Sequence, residues 1–270
     1  MVRLAPALLG FATLLITLTA NAFTTPEAQC RLKAGTAYRA YGRDYAVRAT
    51  KCHRDRMLGK LSPAADCDDP STWAANGLTK DVAGLAAAEQ RLRDVVNSCS
   101  PDILTPASLG YTTCPAPCDG VAVTTFDDLG ECLYCLTDDC LRGAIESTYG
   151  VPPLLLEKEP RKCQERVGRD LVKYFNKRAV TEQICEFRKE LGEDDYVGVD
   201  CTDFGDPLHP LAPRIERALA KLEKQVAKRC AGVDIGAQLD SCGTDVASEQ
   251  LCLEAAVEQC TSRLFGAAYP

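Results

Sequence analysis

Sixteen cysteines in 270 residues are the side chains best able to do chemistry in this chain. As thiolates they could hold soft metal ions or exchange disulfides, and as pairs they would staple the fold. Spacing separates these uses. Cysteines stand at 30 and 52 and again at 163 and 185, the same interval of 22 positions. Laying Cys163 on Cys30 also aligns Gly168 with Gly35, Tyr174 with Tyr41, Ala179 with Ala46, and Leu191-Gly192 with Leu58-Gly59. A fixed-period match of this kind is the mark of a tandem repeat.

Cys132 and Cys135 form a C-x-x-C, yet no βαβ pattern surrounds them and Leu136 stands where haem attachment needs a histidine. Zinc would need a second such pair or Cys/His clusters. Cuprous copper tolerates clustered thiolates, but long, repeat-matched intervals suit staples better. No metal or cofactor is expected. The two histidines, His53 and His209, sit in no H-E-x-x-H, and neither G-x-S-x-G nor a P-loop occurs. Both are expected at the surface, His53 as a cation near a helix C-terminus. Carboxylate-pair hydrolysis stays open because nothing selects a pair. No catalytic residue is assigned, and an enzyme is not expected. The acids around Cys67 (Asp66, Asp69) and Cys201 (Asp200, Asp203, Asp206) lack EF-hand register, so they read as solvated turns leading into helices.

Long helices must position these residues. A first helix opens near Thr25-Pro26-Glu27, buries Cys30, Ala34, Tyr38, Tyr41, Tyr45, Ala49 and Cys52, and stops at Gly59. A loop from 61 to 77 follows. A second helix spans Thr79 to Cys99 on a Leu85, Ala88, Leu92, Val95 stripe, and a third runs from Thr124-Thr125 to Tyr149-Gly150. The order recurs as Cys163–Leu191, then Pro213–Cys230 on Ile215, Leu219, Leu222 and Val226, then a helix holding Cys252 and Cys260. No stretch alternates with period two. The expected class is all-α: two disulfide-stapled repeats, each a long antiparallel hairpin plus a third helix.

Helix geometry limits the bridges. Twenty-two residues of helix span about 33 Å, too far for Cys30 to reach Cys52. Antiparallel hairpins instead propose Cys30–Cys99 and Cys163–Cys230 at one end, and Cys52–Cys67 and Cys185–Cys201 at the other. Cys118 and Cys135, absent from the second copy, pair most simply with each other. Cys114, Cys132 and Cys140 remain in one copy, and Cys242, Cys252 and Cys260 in the other. Cys132 and Cys140 lie about 12 Å apart along a helix, so Cys114 takes one of them. One bridge between the copies is left over, with Cys140–Cys260 favoured.

Charge is segregated. Residues 31–60 carry nine Lys or Arg against Asp44 and Asp55, while 61–150 carry four against fourteen acids. The helix after Pro213 is basic through Arg214, Arg217, Lys221, Lys224, Lys228 and Arg229. Such helices either match acidic loops within the chain or meet an anionic polymer or membrane surface. The whole chain is acidic at −7, which favours internal matching and argues against nucleic acid as partner.

Residues 1–22 read as a secretion signal: Arg3, an apolar Ala7–Leu18 core, and Ala20-Asn21-Ala22 for cleavage. That apolar run is too short to cross a bilayer. The expected boundaries are 1–22 signal, 23–150 first repeat, 151–161 linker and 162–270 second repeat. Location is expected to be periplasmic or secreted, where disulfides persist.

Lys162-Cys163-Gln164, Ala220-Lys221-Leu222-Glu223 and the threonine-led Cys132-Leu133-Tyr134-Cys135 helix carry a resemblance. With its cysteine spacing, nearly the whole mature chain resembles exported cysteine-rich helical-repeat proteins of deltaproteobacterial, myxobacteria-like type. The second copy departs in lacking counterparts of Cys118 and Cys135. The resemblance implies an extracytoplasmic helical scaffold and no particular activity. The expected function is a structural or binding module without catalysis. The alternatives are a binder of envelope polyanions or membrane surfaces through the basic helices, and a thiolate copper protein. Partners left open are an anionic polymer and another envelope protein.

Overall fold

The computed structural model describes residues 24–99, 104–120, 122–150, 156–239 and 242–270. The expected signal and the linker residues 151–155 lie outside them. Among the described residues the chain is all-α: α1 (Thr25–Met57), α2 (Pro70–Trp73), α3 (Thr79–Asn97), α4 (Phe126–Tyr149), α5 (Lys158–Glu190), α6 (Ala212–Arg229), α7 (Ile235–Gln238) and α8 (Val246–Ala268). An isolated β-bridge joins Thr113 and Ala122.

Local chemistry sets the helix ends. Glu27 accepts hydrogen bonds from the backbone N–H and hydroxyl of Thr24, so α1 is capped one residue earlier than Thr25. Gly59, at φ 70°, takes the left-handed turn that ends it. Asp128 accepts from both Thr124 and Thr125 at the start of α4, and Asp245 accepts from Ser248 at the start of α8.

The two 33-residue helices, α1 and α5, form the central pair and run antiparallel. The Arg31 guanidinium near the start of α1 meets Glu190 at the end of α5 at 2.7 Å. Gln183 donates to the Leu32 carbonyl and the Thr36 hydroxyl, and Arg39 to Asn176 further along. Helices α3 and α4 pack on α1, α6 and α8 pack on α5, and α4 and α8 pack on each other. Apolar burial among these helices is the main stabilising term. Tyr38, Tyr41, Tyr45, Tyr149, Tyr174 and Phe175 are all buried, so tyrosines supply most of the aromatic bulk along the central pair.

The structure corrects several expectations. The loop after α1 contains α2, capped when Asp69 accepts from Ser71 N–H. Val96 is buried and Val95 is 37% exposed, because the apolar stripe steps four residues from Leu92 rather than three. Leu219 is half-buried, so the α6 stripe is Ile215, Leu222 and Val226. α5 begins at Lys158, inside the expected linker.

Candidate functional site

All sixteen cysteines are bridged. Cys30 pairs with Cys99, Cys52 with Cys67, Cys163 with Cys230 and Cys185 with Cys201, at Cα separations of 5.3, 5.5, 4.8 and 5.5 Å. These close both ends of the α1–α3 and α5–α6 hairpins. Cys114–Cys132 and Cys118–Cys135 tie the connector to α4, Cys242–Cys252 ties the segment before α8 to it, and Cys140–Cys260 joins α4 to α8. The members of the C-x-x-C therefore bond different partners, which leaves no dithiol couple within it. No thiolate is present to ligate a metal.

The histidines are in the core, not at the surface. His53 is fully buried, with its ring stacked on Tyr149 at 4.0 Å between centroids. The Arg56 guanidinium donates to His53 Nδ1 at 2.8 Å, so that nitrogen carries no proton, and Nε2–H donates to Asp68 at 2.8 Å. The ring is thus the neutral tautomer. Burial pushes its pKa below the ordinary histidine value, against the upward pull of Asp68. His209 is also buried; its Nδ1 accepts from Leu211 N–H, and its ring lies against Phe204 and the Cys185 sulfur. A cation at the end of α1 was expected at His53. Desolvation outweighs the exposed-surface helix-dipole benefit, which is about 0.3–1 kcal/mol.

The loop carboxylates cap backbone. Asp66 accepts from Asp68 and Asp69 N–H, Asp200 from Thr202 N–H, Asp203 from Gly205 N–H and Asp206 from Leu208 N–H. No cluster of His, Cys, Asp and Glu able to hold a metal occurs among the described residues. Two buried carboxylates stand out electrostatically. Glu182, held by Arg178 and Thr261, and Glu190, facing Arg31, are each pushed up to about 7 by burial, against the pull of those arginines.

The basic helices converge. A groove of about 480 Å³ runs between α1 and α5, with Arg43, Lys51 and Arg54 on one wall and Arg169 and Lys173 on the other. A second groove of about 400 Å³ lies between α5 and α6, where Lys173 and Lys177 face Arg217 and Lys221 above Tyr174 and Leu222. Lys173 borders both. Internal matching accounts for part of the charge: Arg48 and Lys51 meet Asp81, and Arg91 meets Asp44. Among the described residues, none of the six cations of α6 forms an ion pair. The sequence showed how many cations each helix carries, but not that three helices present them to common recesses. No helix among the described residues is long and apolar enough to cross a membrane. Compared with known proteins, the chain matches no family model, no curated protein and no solved structure.

Proposed function

We propose that the protein is an extracytoplasmic binding module without catalytic activity, built from two disulfide-stapled helical repeats. The pairing of all sixteen cysteines carries this reading, because so dense a framework is characteristic of compartments where thiols are oxidised. The Cys30–Cys99 and Cys163–Cys230 bridges occupy matching places in the two halves, as do Cys52–Cys67 and Cys185–Cys201. Both histidines are engaged in core contacts and the loop acids in capping, which supports binding over catalysis. Of the two partner types, the recesses lined by α1, α5 and α6 favour an anionic polymer over another envelope protein.

The test is the intact mass of the exported protein after alkylation without reductant, with metal content read on the same sample. The expected result is an unlabelled mass and no bound metal. Several alkylated thiols, or copper in proportion to protein, would replace the scaffold reading with the thiolate one.

A further inference from the structure

The groove between α5 and α6 has a counterpart in the first half of the chain, and the two differ in charge. In the register that lays Cys163 on Cys30, Lys173 falls on Ala40, Tyr174 on Tyr41 and Lys177 on Asp44. In the register that lays Leu222 on Leu92 and Val226 on Val96, all four buried, Arg217 falls on Ala87 and Lys221 on Arg91. The counterpart groove, between α1 and α3, is about 200 Å³ and is closed electrostatically, since Arg91 reaches across it to Asp44 at 2.9 Å. The α5–α6 groove is lined instead by Lys177 and Lys221, the counterparts of Asp44 and Arg91.

The second groove therefore has like charges where the first has an ion pair, and basic side chains at the positions of Ala40 and Ala87. Its one acid, Asp170, is already tied to Arg166 and Lys173. Lys177, Arg217 and Lys221 have no ion-pair partner among the described residues. Arg217 spends only its Nε, on the carbonyl of Pro213. Desolvation, followed by repulsion from Arg214 and Arg217, pulls the Lys177 pKa below its ordinary value. A neighbouring like charge disfavours the charged form, so a bound anion would relieve a cost that the first half avoids.

We infer that the α5–α6 groove is a binding site for a linear anionic polysaccharide. The cations stand on both walls of a recess, one helical turn apart on each: Lys173 and Lys177 on α5, and Arg217 and Lys221 on α6. On each wall the two cations are spaced about 6 Å along the helix, and the two pairs together match charges repeated along a chain rather than a single ion. A flat bilayer meets a convex face and does not enter a recess. The floor of Tyr174, Ala218 and Leu222 is apolar and offers a surface to sugar rings, which inorganic polyphosphate does not use. This inference rests on the reading of the chain as a binding module and names the partner class of that module.

The experiment is calorimetric titration of the full, disulfide-intact protein with a heparin oligosaccharide at physiological salt. Lys177→Asp installs the first groove's ion pair and is expected to weaken binding about tenfold or more, equivalent to about 1.4 kcal/mol. Lys221→Asp does the same from the opposite wall. Lys228→Asp makes the same charge change on α6 outside the groove and is expected to change affinity less than about twofold. Circular dichroism verifies folding of each variant. Equal weakening by Lys177→Asp and Lys228→Asp, absence of heparin binding, or equally tight binding of inorganic polyphosphate or of anionic phospholipid vesicles would overturn the site. Each of these could occur with every cysteine still bridged, so failure of the site is distinguishable from failure of the module reading.

Discussion

Tyr149, the last residue of α4, lays its hydroxyl against the backbone of Gly168 in α5, where any Cβ would overlap it. Tyr269, just past α8, does the same to Gly35 in α1. Each half of the chain thus presses a tyrosine into the long helix of the other, and the Cys140–Cys260 bridge joins the two helices that lead to those tyrosines. Glycine is required at these two helical positions by close approach, not by backbone conformation.

Gly168→Ala is therefore expected to lower stability. The added methyl displaces the Tyr149 ring, an overpacking cost of about 1–3 kcal/mol. The gain in helix propensity returns at most about 1 kcal/mol. Gly143→Ala is the matched control, since a Cβ there meets nothing within 4 Å. Denaturant unfolding should show Gly168→Ala below the wild type and Gly143→Ala above it by about 0.5–1 kcal/mol. The same sign for both would show that the tyrosine contact gives way freely.

The bridges are expected to differ in value. Cys140 and Cys260 are separated by 120 positions, but with the other bridges intact the shortest covalent route between them is about 40 residues. Loop closure on that scale is worth about 4 kcal/mol, against about 3 kcal/mol for the ten-residue Cys242–Cys252 loop. Replacing Cys140 and Cys260 together by Ser should lower the denaturation midpoint more than replacing Cys242 and Cys252. Equal losses would mean that the denatured chain is already constrained between its halves.

Much of this architecture was legible because helix rise converts cysteine spacing into distance. Twenty-two helical residues forbid one bridge and an antiparallel hairpin supplies others, whatever lies between. Burial of polar groups was not legible. His53 is inside because Asp68, Arg56 and the Tyr149 ring converge on it, and Tyr149 arrives from α4, far along the chain. Lys177 and Lys221 look like ordinary helix-surface lysines until α5 and α6 are placed side by side. Local pattern reports which face of a helix is apolar, but not which charged faces will share a groove.

His53 gives stability a defined pH dependence. Its folded pKa lies below the ordinary value of 6.5, so the unfolded chain takes up its proton first. The contribution is present above about pH 6.5 and is lost as pH falls through the folded value, with a slope of up to about 1.4 kcal/mol per pH unit. The stability gap between the wild type and His53→Gln should therefore shrink between pH 7.5 and pH 5. A constant gap would mean that the folded core takes up the proton as readily as the unfolded chain, and would overturn the neutral ring inferred from Arg56 and Asp68.

Glu190 should act with the opposite sign. Its folded pKa is raised to about 7 from the ordinary 4.5, because burial outweighs the pull of Arg31. Between those values the folded protein holds a proton that the unfolded chain has released, so stability rises as pH falls from 7 to 4.5. Above pH 7 the carboxylate is ionised in both states, and the folded state bears the full desolvation cost against its pairing with Arg31. Glu190→Gln removes the titration and keeps the shape. Unfolding followed from pH 8 to pH 5 should show the wild type gaining on Glu190→Gln as the proton binds. If the wild type instead lost ground over that range, the Arg31 pair would be holding Glu190 ionised, and attraction rather than desolvation would govern the end of α5.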